Sequence, residues 1–166
     1  MSTETIRLYS IGHSNVKTER LIELLEQHGI TAVCDVRSAP YSRYNPQFNR
    51  ENLAESLRQA GLSYHYLGKQ LGGMPDDPAL RTEDGALPDD TKIMASARFQ
   101  QGLDRLIALG RQQRTAFMCS EADYRGCHRH RLITPALLNR DIEVVHVMHD
   151  GSLQQAQVEP IQIRMF

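Results

Sequence analysis

The sequence predicts an α/β fold in a single domain over residues 1–166: three layers, with a mostly parallel sheet, flanking helices and a C-terminal hairpin. Two observations lead to this prediction. Short apolar runs alternate with stretches of helical periodicity, and the first five elements follow the order strand, helix, strand, helix, strand, which is typical of a parallel sheet. The length of 166 residues matches one compact domain better than two.

The first half of the chain supplies three strands and two helices. Residues 6–11 alternate polar and apolar side chains and run into the turn-forming residues 12–15. Thr18 precedes leucines at helical spacing, and Gly29 ends that pattern, so a capped helix is predicted over residues 18–28. The same patterns predict a strand over residues 31–36, a helix over 51–60 and a strand over 62–67.

The second half begins with a long polar connection. Residues 68–90 contain two adjacent glycines, three prolines and several aspartates. Such a loop exceeds the roughly 12–15 residues that compact domains leave unstructured, and it is typical of a lid. Apolar spacing then predicts one long helix over residues 91–112. The remaining predicted elements are a strand over residues 115–118, a helix over 130–139, a strand over 142–148 and, after the turn Asp150-Gly151, a returning strand over 158–163.

Charge, cysteine content and hydropathy narrow the class of protein. The formal net charge is -1, so the chain lacks the overall basic charge of a protein that lives on nucleic acid or an anionic membrane. Its three cysteines, an odd number, argue against a disulfide scaffold and favour a reducing compartment. The first residues show no signal-peptide pattern, and no run approaches the roughly 18 apolar residues of a membrane span. We therefore expect a cytoplasmic protein without a membrane partner.

The segment from Cys119 to His130 is the most chemically dense part of the sequence. It contains two thiols, two carboxylates, two imidazoles and two guanidinium groups. Because it follows a predicted buried strand and precedes a predicted helix, it should form a strand-to-helix loop, where open α/β sheets bind their ligands. This loop is the predicted active site.

Polar clusters also follow two other predicted strands. Right-handed crossovers place the carboxyl ends of parallel strands on one edge of the sheet, so these clusters should meet the Cys119 loop in a single crevice. The three clusters are His13-Ser14, Asp35 with Arg37 and Ser38, and Cys119 with Glu121.

Four motifs carry a resemblance to a known family. They are Tyr9-Ser-Ile-Gly-His-Ser14, Asp35-Val-Arg-Ser-Ala-Pro40, Leu67-Gly-x-x-Leu-Gly-Gly73, and Cys119-x-Glu121 with Cys127-His128-Arg129. In this order and spacing they resemble the domain-of-unknown-function family number 488 over nearly the whole chain. The resemblance implies a compact α/β protein and no established reaction. Residues 74–90 match none of the family's motifs.

The clustered residues favour an enzyme that acts on an anionic ligand by acid–base chemistry. Guanidinium groups are the usual choice for holding a phosphate or a carboxylate, so Arg37 and Arg129 are predicted to bind such a group. A neighbouring imidazole or carboxylate can then move a proton. The predicted catalytic residues are His13, Asp35, Cys119 and Glu121, and the predicted ligand-binding residues are Ser14, Arg37, Ser38, Cys127, His128 and Arg129.

A nucleotide or a nucleic-acid strand is one anionic ligand that this sequence could accommodate. Tyr41, Tyr44 and Phe48 alternate with Arg43 and Arg50, a pattern that suits base stacking beside contacts to the phosphate backbone. The rival interpretation is therefore a module that binds a nucleotide or nucleic acid without catalysis.

A nucleophilic cysteine is a further interpretation. Nearby cations would lower the pKa of Cys119 at the end of its strand, and its spacing to Arg125 matches the Cys-x5-Arg pattern of an anion cradle. However, Glu121 and Asp123 in the same loop would repel a bound phosphate. Cys34, in the middle of a strand, is predicted to be core packing.

Two more interpretations use both cysteines of the dense segment. Mixed thiolate, imidazole and carboxylate ligands suit zinc or iron, in an open and catalytic site. The candidate ligands are Cys119, Glu121, Cys127 and His128, with His13 or Asp35 in support. Alternatively, Cys119 and Cys127 form a reversible disulfide, which would make the site redox-active.

Overall fold

The computed structural model describes residues 6–157, except for the side chains of residues 126 and 130. Its centre is a six-stranded, mostly parallel sheet with helices packed on both faces, which confirms the predicted α/β fold. The strands are β1 (Arg7–Gly12), β2 (Ala32–Asp35), β3 (Ser63–Tyr66), β4 (Thr115–Cys119), β5 (Glu143–Val147) and β6 (Leu153–Gln155).

Six α-helices lie among the described residues. They are α1 (Thr18–Gln27), α2 (Arg50–Gln59), α3 (Gly68–Leu71), α4 (Asp90–Ala95), α5 (Ala97–Gln112) and α6 (Thr134–Leu138). Short 3₁₀ turns cover Pro46–Phe48, Pro78–Leu80 and Tyr124–Gly126, and a π-helical turn covers Arg129–Ile133. None of the helices within residues 6–157 combines the length and the apolar character that crossing a membrane requires.

The strand order β3-β2-β4-β1-β5-β6 creates a switch point in the middle of the sheet. From β1 the chain moves outward through β2 to β3. It then returns past β2 to β4 and continues beyond β1 to β5. The connections that leave β1 and β4 therefore run in opposite directions along the sheet. Ligands of open α/β sheets bind at such a point, outside the carboxyl ends of the two strands.

Alternate residues of the strands point to opposite faces of the sheet and pack into two separate cores, one on each face. On one face, Tyr9 and Met118 pack with the buried leucines of α1 and α2. On the other face, Phe117 and Val144 pack with α5 and with the segment that leads into α6. Cys34 is completely buried in this second core, in keeping with the packing role predicted for it.

The prediction of one long helix over residues 91–112 is wrong, because this segment contains two helices that meet at Ser96. The Ser96 hydroxyl donates to the carbonyl of Ile93 at 2.7 Å and accepts from the backbone N–H of Phe99 at 3.1 Å. It therefore ends α4 and caps α5. The apolar spacing continues across this break, which is why periodicity alone predicts a single helix.

Two other element predictions need correction. Residues 68–90, predicted to lack secondary structure, contain α3 and a 3₁₀ turn and lead directly into α4. The helix predicted over residues 130–139 starts instead as a π-helical turn, and α6 covers only Thr134–Leu138. Pro135 has no N–H to complete an α-helical bond to the carbonyl four residues earlier, so the regular ladder cannot run through this point.

The turn Asp150-Gly151 reverses the chain as predicted, but the returning strand starts sooner. β6 pairs antiparallel with β5, with Leu153 opposite Val147 and Gln155 opposite Val145. The returning strand predicted over residues 158–163 lies outside the described residues.

Gly12 marks the closest approach between the end of β1 and the loop after β4. It pairs with Cys119 in the parallel ladder. The pairing continues past the strand, because the N–H of Ser14 donates to the carbonyl of Ser120 at 2.8 Å. A Cβ on residue 12 would lie 1.5 Å from the carbonyl oxygen of Glu121, so only glycine fits at this position.

We predict that Gly12→Ala lowers the free energy of unfolding by about 2 kcal/mol or more, because the added methyl group forces two backbone segments apart. Urea titration followed by circular dichroism measures the loss. Gly110→Ala is the matched control, since its Cβ would lie 2.7 Å from a terminal methyl carbon of Leu8, a flexible side chain that can move. Its effect should stay within about 1 kcal/mol. Equal losses in the two variants would contradict the close approach at Gly12.

Candidate functional site

The structure brings the three strand-end clusters together at the switch point between β4 and β1. The backbone N–H of His13 donates to the carbonyl of Cys119 at 3.0 Å, which joins the ends of β1 and β4. The Nη1 group of Arg37 donates to Nε2 of His13 at 3.2 Å, which joins the segment after β2 to the same edge. Residues far apart in sequence therefore form one hydrogen-bonded rim.

A crevice of about 310 Å³ opens at this rim. Part of its wall comes from predicted site residues, namely Arg37, Ser38, Cys119, Glu121, Cys127 and His128. The rest comes from Ala39, Gly73, Met74, Ser120 and Arg131. The other predicted site residues, His13, Ser14, Asp35 and Arg129, are not among the described residues that line it.

The glycines after β3 allow the backbone of their loop to come close to Ser38 and His128, which line the crevice. A Cβ on Gly72 would lie 2.2 Å from the Ser38 hydroxyl oxygen, and one on Gly73 would lie 2.8 Å from Cβ of His128. The N–H of Met74 then donates to the same Ser38 oxygen at 2.9 Å. Ser38 is therefore held by the glycine loop while it lines the crevice.

Asp35 and Arg37 form a buried ion pair at the end of β2. The guanidinium donates from Nε to Oδ1 at 2.8 Å and from Nη2 to Oδ2 at 2.7 Å, and the side chains are 0% and 6% exposed. The backbone N–H of Arg37 and the hydroxyl of Tyr64 also donate to the carboxylate, at 3.1 and 2.6 Å. Four donors occupy the four acceptor sites of Asp35. This carboxylate orients Arg37 and has no site left for a ligand's proton.

His13 is a neutral, buried imidazole. Its Nδ1 lies 2.7 Å from the carbonyl oxygen of Ser14, which can only accept, so Nδ1 carries the proton. Nε2 must then accept from Arg37. Burial, more than any other cause, lowers the pKa of His13 to about 4, and the Arg37 charge acts in the same direction. The ring also packs against Phe48 at a centroid distance of 4.5 Å.

The two cysteines of the dense segment are in direct contact. The Sγ atoms of Cys119 and Cys127 lie 2.7 Å apart. Only Cys127 also accepts from Arg129, whose backbone N–H and Nε each lie 3.3 Å from its sulfur. The hydrogen bond from Cys119, reinforced by the Arg129 charge, lowers the pKa of Cys127. Burial and the same shared hydrogen bond raise the pKa of Cys119. Both shifts favour a proton on Cys119 and a thiolate on Cys127.

Arg129 is almost completely buried, with 1% of its surface exposed. Besides Cys127, its guanidinium donates to the Ser10 hydroxyl at 3.1 Å and to the Glu121 carbonyl at 2.6 Å. Of these three acceptors, only the Cys127 sulfur can carry a negative charge. A buried guanidinium without an anionic partner is strongly unfavourable, so this contact favours the thiolate form of Cys127.

Ser10 and His146 extend this network, and sequence reasoning missed both. Ser10 accepts from Arg129, so its own proton is free to bond Nδ1 of His146, which lies opposite it in the β1–β5 ladder. The His146 ring stacks on Tyr124 at a centroid distance of 3.7 Å. In the sequence, each of the two is a polar residue inside an otherwise apolar strand. That they face each other follows only from the register between β1 and β5, which the sequence does not show.

Two other residues of the dense segment face outward. The Glu121 side chain is exposed at the rim, whereas its backbone carbonyl is the part that Arg129 and Gly12 contact. Arg125 pairs with Asp123 at 3.0 Å and is 69% exposed. The Cys119-to-Arg125 spacing therefore does not build an anion cradle.

The aromatic residues proposed for base stacking separate into two groups. Tyr41 and Tyr44 are 56% and 84% exposed. Phe48 is completely buried, so its predicted stacking on a ligand base is wrong: its ring covers His13 in the core. Arg50 lies over the Tyr66 ring at 4.2 Å from the ring centre.

The mixed ligand set proposed for zinc or iron does not converge in the described part of the chain. Among those residues, no group of three or more His, Cys, Asp or Glu side chains lies close enough together to hold a metal ion. One reason is that Nε2 of His128 donates to the Val36 carbonyl at 2.9 Å.

Fold and site together define an α/β protein with a crevice at the switch point of its sheet and two thiols in contact in its wall. The family described as Domain of unknown function DUF488 matches residues 17–134, and the chain belongs to this family, as its motifs predict. The matched range starts after the Tyr9-to-Ser14 motif, so it is shorter than the resemblance implied. Comparisons with curated proteins and with solved structures find no match.

We predict that Asp35→Asn lowers the free energy of unfolding by about 3–5 kcal/mol, because it leaves the Arg37 charge buried without an anionic partner. Urea titration measures the effect. Glu55→Gln is the matched control, since Glu55 pairs with Arg58 on the surface, where the side chains are 49% and 73% exposed. Its cost should stay below about 1 kcal/mol. If Asp35→Asn costs as little as the control, the pair does not hold the strand end together.

Proposed function

We propose that the chain is an enzyme whose reacting group is the thiolate of Cys127, which attacks an electrophilic ligand held in the crevice by its anionic group. The buried guanidinium of Arg129, in contact with the Cys127 sulfur, is the observation that carries this proposal. A structural cysteine needs no cation, whereas a nucleophilic one depends on its thiolate form at neutral pH.

Cys127 suits the nucleophilic role better than Cys119, which the sequence favours. Arg129 donates to Cys127 through two N–H groups, while Cys119 shares its own proton with the neighbouring sulfur. Cys119 is also the more deeply buried of the two, with 2% of its surface exposed against 7% for Cys127. We assign Cys119 the role of a proton donor to the thiolate.

Arg37 and Arg131 are the cations that the proposed ligand would meet. The contacts of Arg37 with Asp35 and His13 use three of its five N–H groups, and the guanidinium lines the crevice. The two remaining N–H groups can hold a phosphate or carboxylate. Arg131 is half-exposed on the same wall, where its Nε also pairs with Asp90 at 2.7 Å.

Three predicted catalytic residues and one predicted ligand-binding residue, Ser14, take a positioning role in this proposal. Asp35 fixes the guanidinium of Arg37, and His13 accepts from it on the other side. Ser14 holds the His13 ring through its carbonyl. Glu121 supplies its backbone carbonyl to Arg129 and leaves its carboxylate at the rim of the crevice.

The alternative is a module that binds nucleotide or nucleic acid without catalysis. The exposure of Tyr41 and Tyr44 favours it, since both rings can stack on a base. A binding module has no use for an activated thiolate, so the reactivity of Cys127 distinguishes the two classes.

We predict that iodoacetamide labels Cys127 at a rate that changes little between about pH 6 and about pH 9, because the thiolate predominates over this range. Mass mapping identifies the labelled cysteine at each pH. Arg129→Gln should slow labelling at about pH 6 by tenfold or more, and the rate should recover as the pH rises. Arg125→Gln, which removes an exposed arginine of the same segment, should leave the rate unchanged.

Circular dichroism of each variant checks that it folds. If Arg129→Gln does not fold, the pH profile of the wild-type protein alone still decides whether Cys127 is a thiolate. A wild-type labelling rate that rises tenfold per pH unit, with a midpoint near the usual thiol pKa of about 8.5, would contradict the proposed thiolate and favour the binding module.

We also predict that the crevice favours an anionic reagent. Iodoacetate and iodoacetamide share one electrophilic carbon and differ in charge, so the ratio of their rates at Cys127 reports the local potential. This ratio should exceed that of free cysteine, and Arg131→Gln should lower it about two- to threefold. Arg125→Gln is again the control. A ratio equal to that of free cysteine would remove the anionic group from the proposal but keep the thiolate.

A further inference from the structure

The second thiol limits which electrophile the crevice can turn over. Cys119 lies against Cys127, with 2.7 Å between the two sulfurs, and both cysteines line the crevice. If Cys127 attacked a carbonyl or phosphoryl group, release of the product would require an activated water on the adduct. The group in contact with Cys127 is instead a thiol, and the bond that a thiol forms with an oxidised sulfur is a disulfide.

We propose that the electrophile is a hydroperoxide, and that Cys127 and Cys119 act together as a dithiol that reduces its O–O bond. This inference rests on the thiolate of Cys127 proposed above. Cys127 reacts first, and Cys119 resolves the product.

The depth of the reacting sulfur favours a peroxide over a disulfide as the substrate. Cys127 is 7% exposed, so a small terminal atom reaches its sulfur more easily than an atom that carries chains on both sides. The distal oxygen of a hydroperoxide carries only a hydrogen atom, whereas both sulfurs of an organic disulfide carry carbon chains. The crevice of about 310 Å³ can hold the organic part of a small hydroperoxide outside this point.

In the first step, the thiolate of Cys127 attacks the distal oxygen of the hydroperoxide. An S–O bond forms, the O–O bond breaks, and the alkoxide leaves with the electron pair and takes the proton of Cys119. The products are a sulfenic acid on Cys127 and an alcohol, or water if the substrate is hydrogen peroxide. Cys119 is left as a thiolate in contact with the oxidised sulfur.

In the second step, the thiolate of Cys119 attacks the sulfur of the Cys127 sulfenic acid. An S–S bond forms, the S–O bond breaks, and hydroxide leaves. The peroxide has gained two electrons and each sulfur has lost one. Contraction from 2.7 Å to a bonded length of about 2.05 Å needs a shift of only about 0.7 Å. A dithiol reductant then regenerates the site by thiol–disulfide exchange.

Cys34 provides an internal control for this chemistry. It is completely buried in β2 and is not among the described residues that line the crevice. Burial raises its pKa to about 12, so it stays a thiol at neutral pH. Cys34→Ala should therefore leave the reaction with peroxide unchanged.

The test treats the reduced full chain with one equivalent of hydrogen peroxide at about pH 6, where ordinary thiols react slowly. We expect the accessible thiol count after denaturation to fall from three to one, with a mass loss of about 2 Da that maps to a Cys119–Cys127 disulfide. The rate should exceed that of free cysteine by tenfold or more. Cys119→Ser should stop at a sulfenic acid on Cys127, which dimedone traps when the protein is unfolded in its presence.

Three other outcomes overturn the inference, and the alkylation experiment distinguishes them from failure of the proposed function. Rapid alkylation of Cys127 together with a peroxide rate equal to that of free cysteine rejects the peroxide and keeps the thiolate. Oxidation that consumes thiols without the Cys119–Cys127 disulfide rejects the resolving role of Cys119. Ordinary reactivity of Cys127 toward both reagents rejects the two proposals together.

Discussion

The rest of the site depends on how the protein accommodates the buried charge of Arg129. A guanidinium with almost no exposed surface must find both hydrogen-bond acceptors and a negative charge inside the protein. It finds acceptors on β1, through Ser10, and on the loop after β4, through the Glu121 carbonyl. In the proposed site, the negative charge is the sulfur of Cys127. Through Ser10 the same contact reaches His146 on β5, so one side chain ties the three strands around the switch point to Cys127, the proposed reacting group.

Two buried guanidinium groups flank the crevice, and they differ in the kind of anion that neutralises them. Arg37 has a carboxylate partner, which its guanidinium contacts through two hydrogen bonds. Arg129 has a sulfur, whose charge disappears once the sulfur forms a bond. The first pair therefore holds the end of β2 in place, whereas the second suits the reaction proposed for Cys127. A lowered thiol pKa also has a cost. It raises the fraction of thiolate at neutral pH, but a thiolate of low pKa is intrinsically a weaker nucleophile than one of ordinary pKa.

Much of this arrangement follows from short-range sequence patterns, and the remainder depends on long-range register. The parallel sheet and the meeting of polar strand ends were predictable, because each strand and each terminal cluster is local in sequence and topology does the rest. The break at Ser96 was hidden because a capping hydroxyl outweighs a continuous apolar spacing. The link between Ser10 and His146 was hidden because it needs the pairing of the first and fifth strands. The choice of Cys127 as the proposed thiolate was hidden because it depends on which of the two sulfurs the Arg129 side chain contacts.

The central place of β1 in the sheet also has a consequence for how the protein is made. β1 is synthesised first, but its two neighbours are β4 and β5, and its contact from Arg7 to Glu143 spans 136 residues. On the ribosome, the apolar strand that will form the middle of the sheet must wait until nearly all the described chain has emerged. The nascent chain can pair β2 with β3 early, but the crevice can form only after β4 and residues 119–131 have emerged. The contact between Arg129 and Ser10 likewise joins the first strand to a residue 119 positions later, so it can form only after β4 and the loop that follows it have emerged.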